Sequence, residues 1–152
     1  MIKTINKNII FAEENIIAHG CNCQGKMNSG VAKAVRQRWP FVYSHYYNQY
    51  LMNDNSLPLG QVQFVGVGPD KYVANCMTQK FYGYTGGPFA SLPAIKVCLL
   101  NVAGFAKEHS YSVALPPIGC GLGGLSWSEV GPIVEEVFIL NNVKFNVYDY
   151  TG

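Results

Sequence analysis

The sequence is poor in charge. Asp, Glu, Lys and Arg make up only 13% of its 152 residues while 49% are hydrophobic, a balance that excludes intrinsic disorder. No basic run occurs, and Lys26, Lys33, Arg36 and Arg38 form the densest group of cations. A protein that lives on a nucleic-acid backbone usually carries more, so these four read as a solvated helix face ahead of a phosphate-binding patch. A disulfide framework is also missing: the five cysteines, at 21, 23, 76, 98 and 120, are odd in number and irregular in spacing. Cys76 and Cys98 fall in apolar runs, where a free cysteine behaves as a small buried hydrophobe. Cys21-x-Cys23 has no second Cys or His pair at ligand spacing, so no metal site is expected. No apolar stretch approaches the length of a membrane span, and residues 1–7 carry no cleavage signature. Composition shifts, repeats and low-complexity tracts are absent too. These absences together predict one soluble, reduced, cytoplasmic domain over residues 1–152, with no membrane partner.

What the chain does have is glycine, concentrated in two loops. The first runs from Gly20 through Cys21, Asn22, Gly25, Met27 and Ser29 to Gly30, Val31 and Ala32. The second runs from Pro117 through Gly119, Cys120, Gly121 and Leu122 to Gly123 and Gly124. Each follows an apolar run that reads as a strand and leads into a run that reads as a helix. In that context a glycine-rich segment becomes an anion cradle, because the backbone can approach a ligand and the first N–H groups of the helix point at it.

Strand patterns fall at residues 2–5, 15–19, 62–67, 72–76, 112–115 and 143–148. Val143, Phe145 and Val147 alternate with polar neighbours, whereas Ile16-Ile17-Ala18 and Val113-Ala114-Leu115 are continuous, as strands covered on both faces would be. Helical patterns fall at 29–38, 41–52, 92–107 and 128–140, with Ser126 or Ser128 as cap of the last. Tyr43, Tyr46, Tyr47 and Tyr50 recur at helical spacing and read as an aromatic stripe packed on the sheet. The alternation predicts an α/β class, specifically a three-layer α/β/α domain with a mixed, mostly parallel sheet of about six strands. In such sheets ligands sit at the carboxyl ends of the strands, where both loops fall.

Known phosphate motifs fit poorly. Gly119, Gly121 and Gly124 formally match G-x-G-x-x-G, and a later strand ends in Asp149. That unit starts near residue 112, however, and leaves no room before residue 152 for the second half of a dinucleotide fold. A Walker A loop is excluded because Leu125-Ser126 stands where Lys-Ser/Thr is required. A plain turn accounts for one or two glycines but not for Gly119, Gly121, Gly123 and Gly124 together.

The paired loops resemble those of the macro domains, modules that bind ADP-ribose. Residues 21–32, ending Gly30-Val31-Ala32, look like the family's ribose and diphosphate loop, and residues 117–127 look like its second phosphate loop. Between them Thr78-Gln79-Lys80-Phe81-Tyr82-Gly83 resembles a segment of short phage and bacterial members. The resemblance implies the macro fold, an ADP-ribose derivative as small-molecule partner, and no cofactor. Nucleic acid enters only as an ADP-ribosylated substrate, and the oligomeric state is left open. The branch it points to holds ADP-ribose-1''-phosphate phosphatases, glycohydrolases that release terminal ADP-ribose from protein, and DNA ADP-ribosyl hydrolases. The expected function is a hydrolase of an ADP-ribose derivative, first a 1''-phosphate phosphatase, with de-ADP-ribosylation of DNA or protein, or binding without turnover, as alternatives.

Three residues are the expected catalytic set. Asn22 is placed to bond the distal ribose hydroxyls, or else to bond its own turn. His19, entering the first loop, has the intrinsic pKa of a base for water attack on a terminal phosphate, or else is a structural strand residue. The resemblance implies an amine-acting lysine near Lys80, which requires a desolvated site. It also implies an aspartate in the second loop, where this chain has Gly123; the DNA-specific members carry a more glycine-rich version of that loop. Cys21 and Cys120 flank the site without a base to activate a thiol, so backbone donors are the expected contribution of Cys120.

Overall fold

The computed structural model describes Ile2 and residues 4–81 and 89–151. Among these residues six strands and four α-helices follow one another as β1 (Thr4–Ile5), β2 (Ile16–Asn22), α1 (Gly30–Arg38), α2 (Pro40–Met52), β3 (Val62–Gly68), β4 (Lys71–Gln79), α3 (Leu92–His109), β5 (Val113–Leu115), α4 (Trp127–Leu140) and β6 (Phe145–Tyr148). The strands form one sheet in the order β1-β6-β5-β2-β4-β3. All neighbours are parallel except the β3/β4 hairpin, which is antiparallel. This is the mixed sheet that the pattern of apolar runs predicts.

Side-chain alternation on β2 builds the three layers. Ile16 and Ala18 join Val113 and Leu115 of β5 in a core covered by α3 and α4, including Ile95, Leu99, Val130 and Phe138. Ile17 and Ala114 face the other way, against Val35 of α1, Trp39 and Val42 of α2. Successive residues of a strand point to opposite faces, so both faces of a central strand must be apolar. A third cluster, with Cys21, Met27, Tyr46 and Met77, lies beneath the first glycine loop.

Two boundaries differ from the sequence pattern, and both bear on the site. β2 does not stop at residue 19 but continues through Gly20, Cys21 and Asn22, because β4 itself runs on to Gln79 and supplies Cys76, Met77 and Gln79 as partners. The register slips between Cys21 and Asn22, which turns the chain out of the sheet and starts the loop. Helix α4 is held at its start by Ser126, whose N–H donates to the Glu129 carboxylate at 3.2 Å. Ser91 caps α3 by accepting from the Ala94 N–H at 3.3 Å. Helix α1 has no such device: Ser29 makes no side-chain cap, and its first turn holds no acid.

Candidate functional site

The uncapped start of α1 opens onto a cavity of about 650 Å³ lined by residues at or beyond the carboxyl ends of β2, β4, β5 and β6. Its size is that of a nucleotide or cofactor site. From the first loop come Cys21, Asn22, Lys26, Asn28, Ser29, Val31 and Ala32; from the second, Pro117, Gly119, Cys120, Gly121, Leu122 and Gly123. The fold thus brings the two loops together on one cavity. Gly25, Met27, Gly30 and Gly124 do not line it; they shape the loops from behind, and Met27 is wholly buried beneath the first.

The N–H groups of Gly30, Val31 and Ala32 have no acceptor among the described residues, and Lys33 is the first to close a bond, to Ser29 O at 3.2 Å. In the second loop the N–H groups of Gly119, Gly121, Leu122 and Gly123 are likewise without an acceptor among the described residues, while Cys120, Gly124 and Leu125 bond back into the loop. Neither loop contains a carboxylate. A helix start carries roughly half a positive charge, and converging backbone donors form an anion nest. A helix start and loop donors on one cavity are chemistry suited to an anion.

Each loop is fixed from below. Asn22 Oδ1 accepts from the N–H groups of Gln24 at 3.0 Å and Lys26 at 3.2 Å, and its amide donates to Lys26 O at 2.8 Å. The Tyr46 hydroxyl, fully buried, donates its one proton to Asn22 O at 2.6 Å, with Asn22 Oδ1 also within reach at 3.0 Å. Burial drives the Tyr46 phenol far above its ordinary pKa, so it remains a donor. Asn22 therefore bonds its own turn, and although its edge reaches the cavity, most of its hydrogen-bonding capacity goes to the loop. In the second loop Gly119 has φ +78°, and a Cβ there would meet Ile95 Cδ1 at 2.7 Å. Gly123 is the tighter position: a Cβ would come within 2.6 Å of Gly119 O and 2.9 Å of Ala90 Cβ. Its carbonyl also accepts from Phe89 N at 2.9 Å and Ala90 N at 3.0 Å. The missing aspartate is thus a property of the loop, which has no space for a side chain there.

The catalytic expectation for His19 is corrected. Its ring is fully buried, does not line the cavity, and donates from Nε2 to Asn75 Oδ1 at 2.7 Å, with Asn75 in turn donating to Gln63 Oε1 at 3.2 Å. Burial outweighs that hydrogen bond and pushes its pKa down to about 4. His19 stands three residues before the end of β2, paired with Asn75 of β4. Lys80 is exposed one residue beyond the cavity-lining Gln79, its ammonium 5.5 Å from the Phe81 ring. It does not line the ligand-free cavity. Tyr82 and Gly83 of the same segment lie outside the described residues. The thiols are unsuited to attack: burial raises Cys21 well above its ordinary pKa and lifts Cys23 to about 11, and burial with nearby Glu129 and Asp149 also raises Cys120. Among the described residues, no group of three or more His, Cys, Asp or Glu could hold a metal ion.

The wall also holds residues that the sequence does not single out as a site: Lys26 and Asp149, the charged side chains among its described lining residues, with Thr4 and Trp127. Asp149 follows β6 directly, so the rule that ligands sit past strand ends contained the signal. Lys26 lay inside the first loop but was counted with the helix cations.

The sequence and the fold have known counterparts. Over 157 aligned residues the chain is 26% identical to the DNA ADP-ribosyl glycohydrolase of Mycobacterium tuberculosis, covering 100% of this chain and 43% of that protein. The chain therefore spans less than half the length of that relative. It is 23% identical over 141 residues to the ADP-ribose 1''-phosphate phosphatase of Candida albicans, covering 88% of this chain and 86% of that one. A macrodomain structure from Streptomyces coelicolor superposes with a TM-score of 0.83 at 32% identity, over 99% of both chains. The macro domain family model matches residues 18–134, which hold both loops and the strands between them, and the chain belongs to that family.

Proposed function

We propose that the protein binds an ADP-ribosyl group between its two loops and hydrolyses the bond at the anomeric carbon, releasing ADP-ribose from a nucleic-acid base. The observation that supports binding is that the uncapped, acid-free start of α1 and a second loop with four N–H groups lacking an acceptor among the described residues line one cavity. The placement of chemistry follows from what remains once His19 is committed to Asn75. Lys80 extends from the end of β4 beside the first loop, where the distal ribose would lie. Its amine, when deprotonated, would attack the anomeric carbon as the glycosidic bond breaks and the base leaves with a proton. Opening of the ribose ring then gives an imine, which water hydrolyses to free ADP-ribose and the amine. The sterically closed position at Gly123 supports a nucleobase linkage over a glutamate ester, since the acid-dependent chemistry has no place in this loop. The identity to the mycobacterial DNA glycohydrolase supports the same reading.

A second reading is favoured by Lys26. It is the cation of the cavity wall, suited to a terminal phosphate, and the Candida phosphatase is a relative over most of both chains. Chromatographic assay of ADP-ribose release from an ADP-ribosylated oligonucleotide, and of phosphate release from ADP-ribose 1''-phosphate, separates the two. Loss of the first in Lys80→Ala with ADP-ribose binding retained supports the glycohydrolase. Phosphate release indifferent to Lys80→Ala selects the phosphatase. Tight ADP-ribose binding by the wild type without either turnover sinks both and leaves a reader.

A further inference from the structure

Beside the ligand cavity, and sharing Asn28 with it, lies a second groove of about 470 Å³ between α1 and α2. Lys33, Arg36 and Tyr43 line it, with Met27 beneath, and no carboxylate does. The Arg36 guanidinium sits 3.8 Å from the centroid of the Tyr43 ring, which stacks in turn on Tyr47 at 5.7 Å. One Arg36 nitrogen donates to Asn28 Oδ1 at 3.1 Å; among the described residues its other donors have no partner. The surrounding sequence is one-sided: residues 15–53 contain Lys26, Lys33, Arg36 and Arg38 and no Asp or Glu, whereas the rest of the chain holds more acids than bases.

We propose that this groove holds the sugar-phosphate backbone of the nucleic-acid strand whose base carries the ADP-ribosyl group. The proposal rests on the reading of the larger cavity as an ADP-ribose site and adds the strand to it. A guanidinium held flat by an aromatic ring is a preorganised fork for phosphate oxygens, and Lys33 adds a point charge on the same wall. Asn28 joins the groove to the first loop, so a strand lying along Lys33 and Arg36 delivers its modified base to the cavity mouth. Such contacts fix register and orientation and read no sequence. The groove also explains how a chain with so little charge engages DNA: the cations are few but collected where the strand must pass.

The test uses fluorescence anisotropy with an unmodified, labelled single-stranded 12-mer at 50 and 200 mM salt, alongside calorimetry with free ADP-ribose. Wild type is compared with Lys33→Glu, which touches nothing in the cavity, and with Lys33→Ala/Arg36→Ala. The expected result is strand binding weakened about tenfold or more in both variants, with ADP-ribose affinity falling by much less, within about threefold of wild type. In the alanine pair the dependence of log K on log salt should flatten by about 1.4, the value for two phosphate contacts on a single strand. Strand binding equal in wild type and variants overturns the proposal, as does a wild type that binds ADP-ribose but no strand. A polyglutamate peptide that displaces the strand at equal charge concentration also overturns it, in favour of an acidic protein partner. Failure of the wild type to bind ADP-ribose refutes the cavity reading instead, and the strand arm still reports on the groove.

Discussion

Replacing Gly123 with alanine places one methyl group where the loop has no room, and the structure sets the size of the effect. The new Cβ would lie 2.6 Å from Gly119 O and 2.9 Å from Ala90 Cβ, contacts with backbone and with a short side chain that cannot swing away. The loop must therefore move, straining the bonds from Phe89 N and Ala90 N to Gly123 O. Overpacking costs about 1–3 kcal/mol, and a weakened hydrogen bond adds on the order of 1 kcal/mol. A total of about 3 kcal/mol lowers Tm by about 6–12 °C for a chain of this length. Displacing the Gly123 N–H from the diphosphate removes a charge-assisted bond, which weakens ADP-ribose binding by roughly 10–100-fold. Gly121→Ala is the internal control, since a Cβ there meets nothing within 4 Å; its Tm should match wild type. Differential scanning fluorimetry and calorimetry with ADP-ribose read both quantities. Wild-type Tm and affinity in Gly123→Ala would refute the steric account. So would Gly123→Asp folding normally and gaining activity on a glutamate-linked substrate, because the loop would then have space for the acid.

Three other outcomes are expected. Tyr46→Phe removes the one hydroxyl donor that buried Asn22 acceptors share and should cost about 1–3 kcal/mol in urea unfolding, with weaker ADP-ribose binding as the first loop loosens; unchanged stability would show that the hydroxyl does not anchor it. His19 has a folded pKa of about 4 against 6.5 unfolded, so the unfolded chain takes up the proton first. Stability is full above pH 6.5 and falls by about 3 kcal/mol as pH drops toward 4; a His19→Gln variant with the same acid slope would contradict this. Ser29→Asp gives α1 the cap it lacks and should stabilise the fold by about 1 kcal/mol while weakening ADP-ribose binding, as the new carboxylate takes the N–H groups and repels the diphosphate. A variant that gains affinity along with stability would rule out the helix start as an anion site.

Much of this fold can be read directly from local pattern. The continuous run Ile16-Ile17-Ala18 announces a strand buried on both faces, Pro40 separates α1 from α2, and Ser126 with Glu129 marks the start of α4. What escapes is set by partners distant in sequence. β2 extends past His19 only because β4, more than fifty residues later, offers Cys76 and Met77 to pair. The same pairing puts Asn75 opposite His19 and converts a plausible base into a buried structural ring. Tyr46 is indistinguishable from its neighbours in the tyrosine stripe, yet it alone is fully buried beneath the first loop with its hydroxyl on Asn22. For Asn22 the spacing left two roles open, and only the positions of Gln24, Lys26 and Tyr46 show how much of its capacity the turn consumes. Gly123 is the converse case: the sequence records a missing acid, and only the approach of Gly119 O shows why no acid fits.

Electrostatics divides the binding surface into two kinds of wall. Within the cavity the anion is met by backbone dipoles, with Lys26 and Asp149 as the charged side chains of its lining. In the neighbouring groove the cations are the side chains of Lys33 and Arg36 on α1. Fixed dipoles inside a partly enclosed cavity hold their field against salt, because little mobile ion can enter between donor and ligand. Exposed lysine and arginine lose theirs as salt rises, since the strand regains its counterions. The two contributions are therefore separable by ionic strength alone: ADP-ribose affinity should vary little between 50 and 200 mM salt, while affinity for a strand should fall steeply. On the proposed reading, the cavity recognises the modification and the groove recognises what carries it.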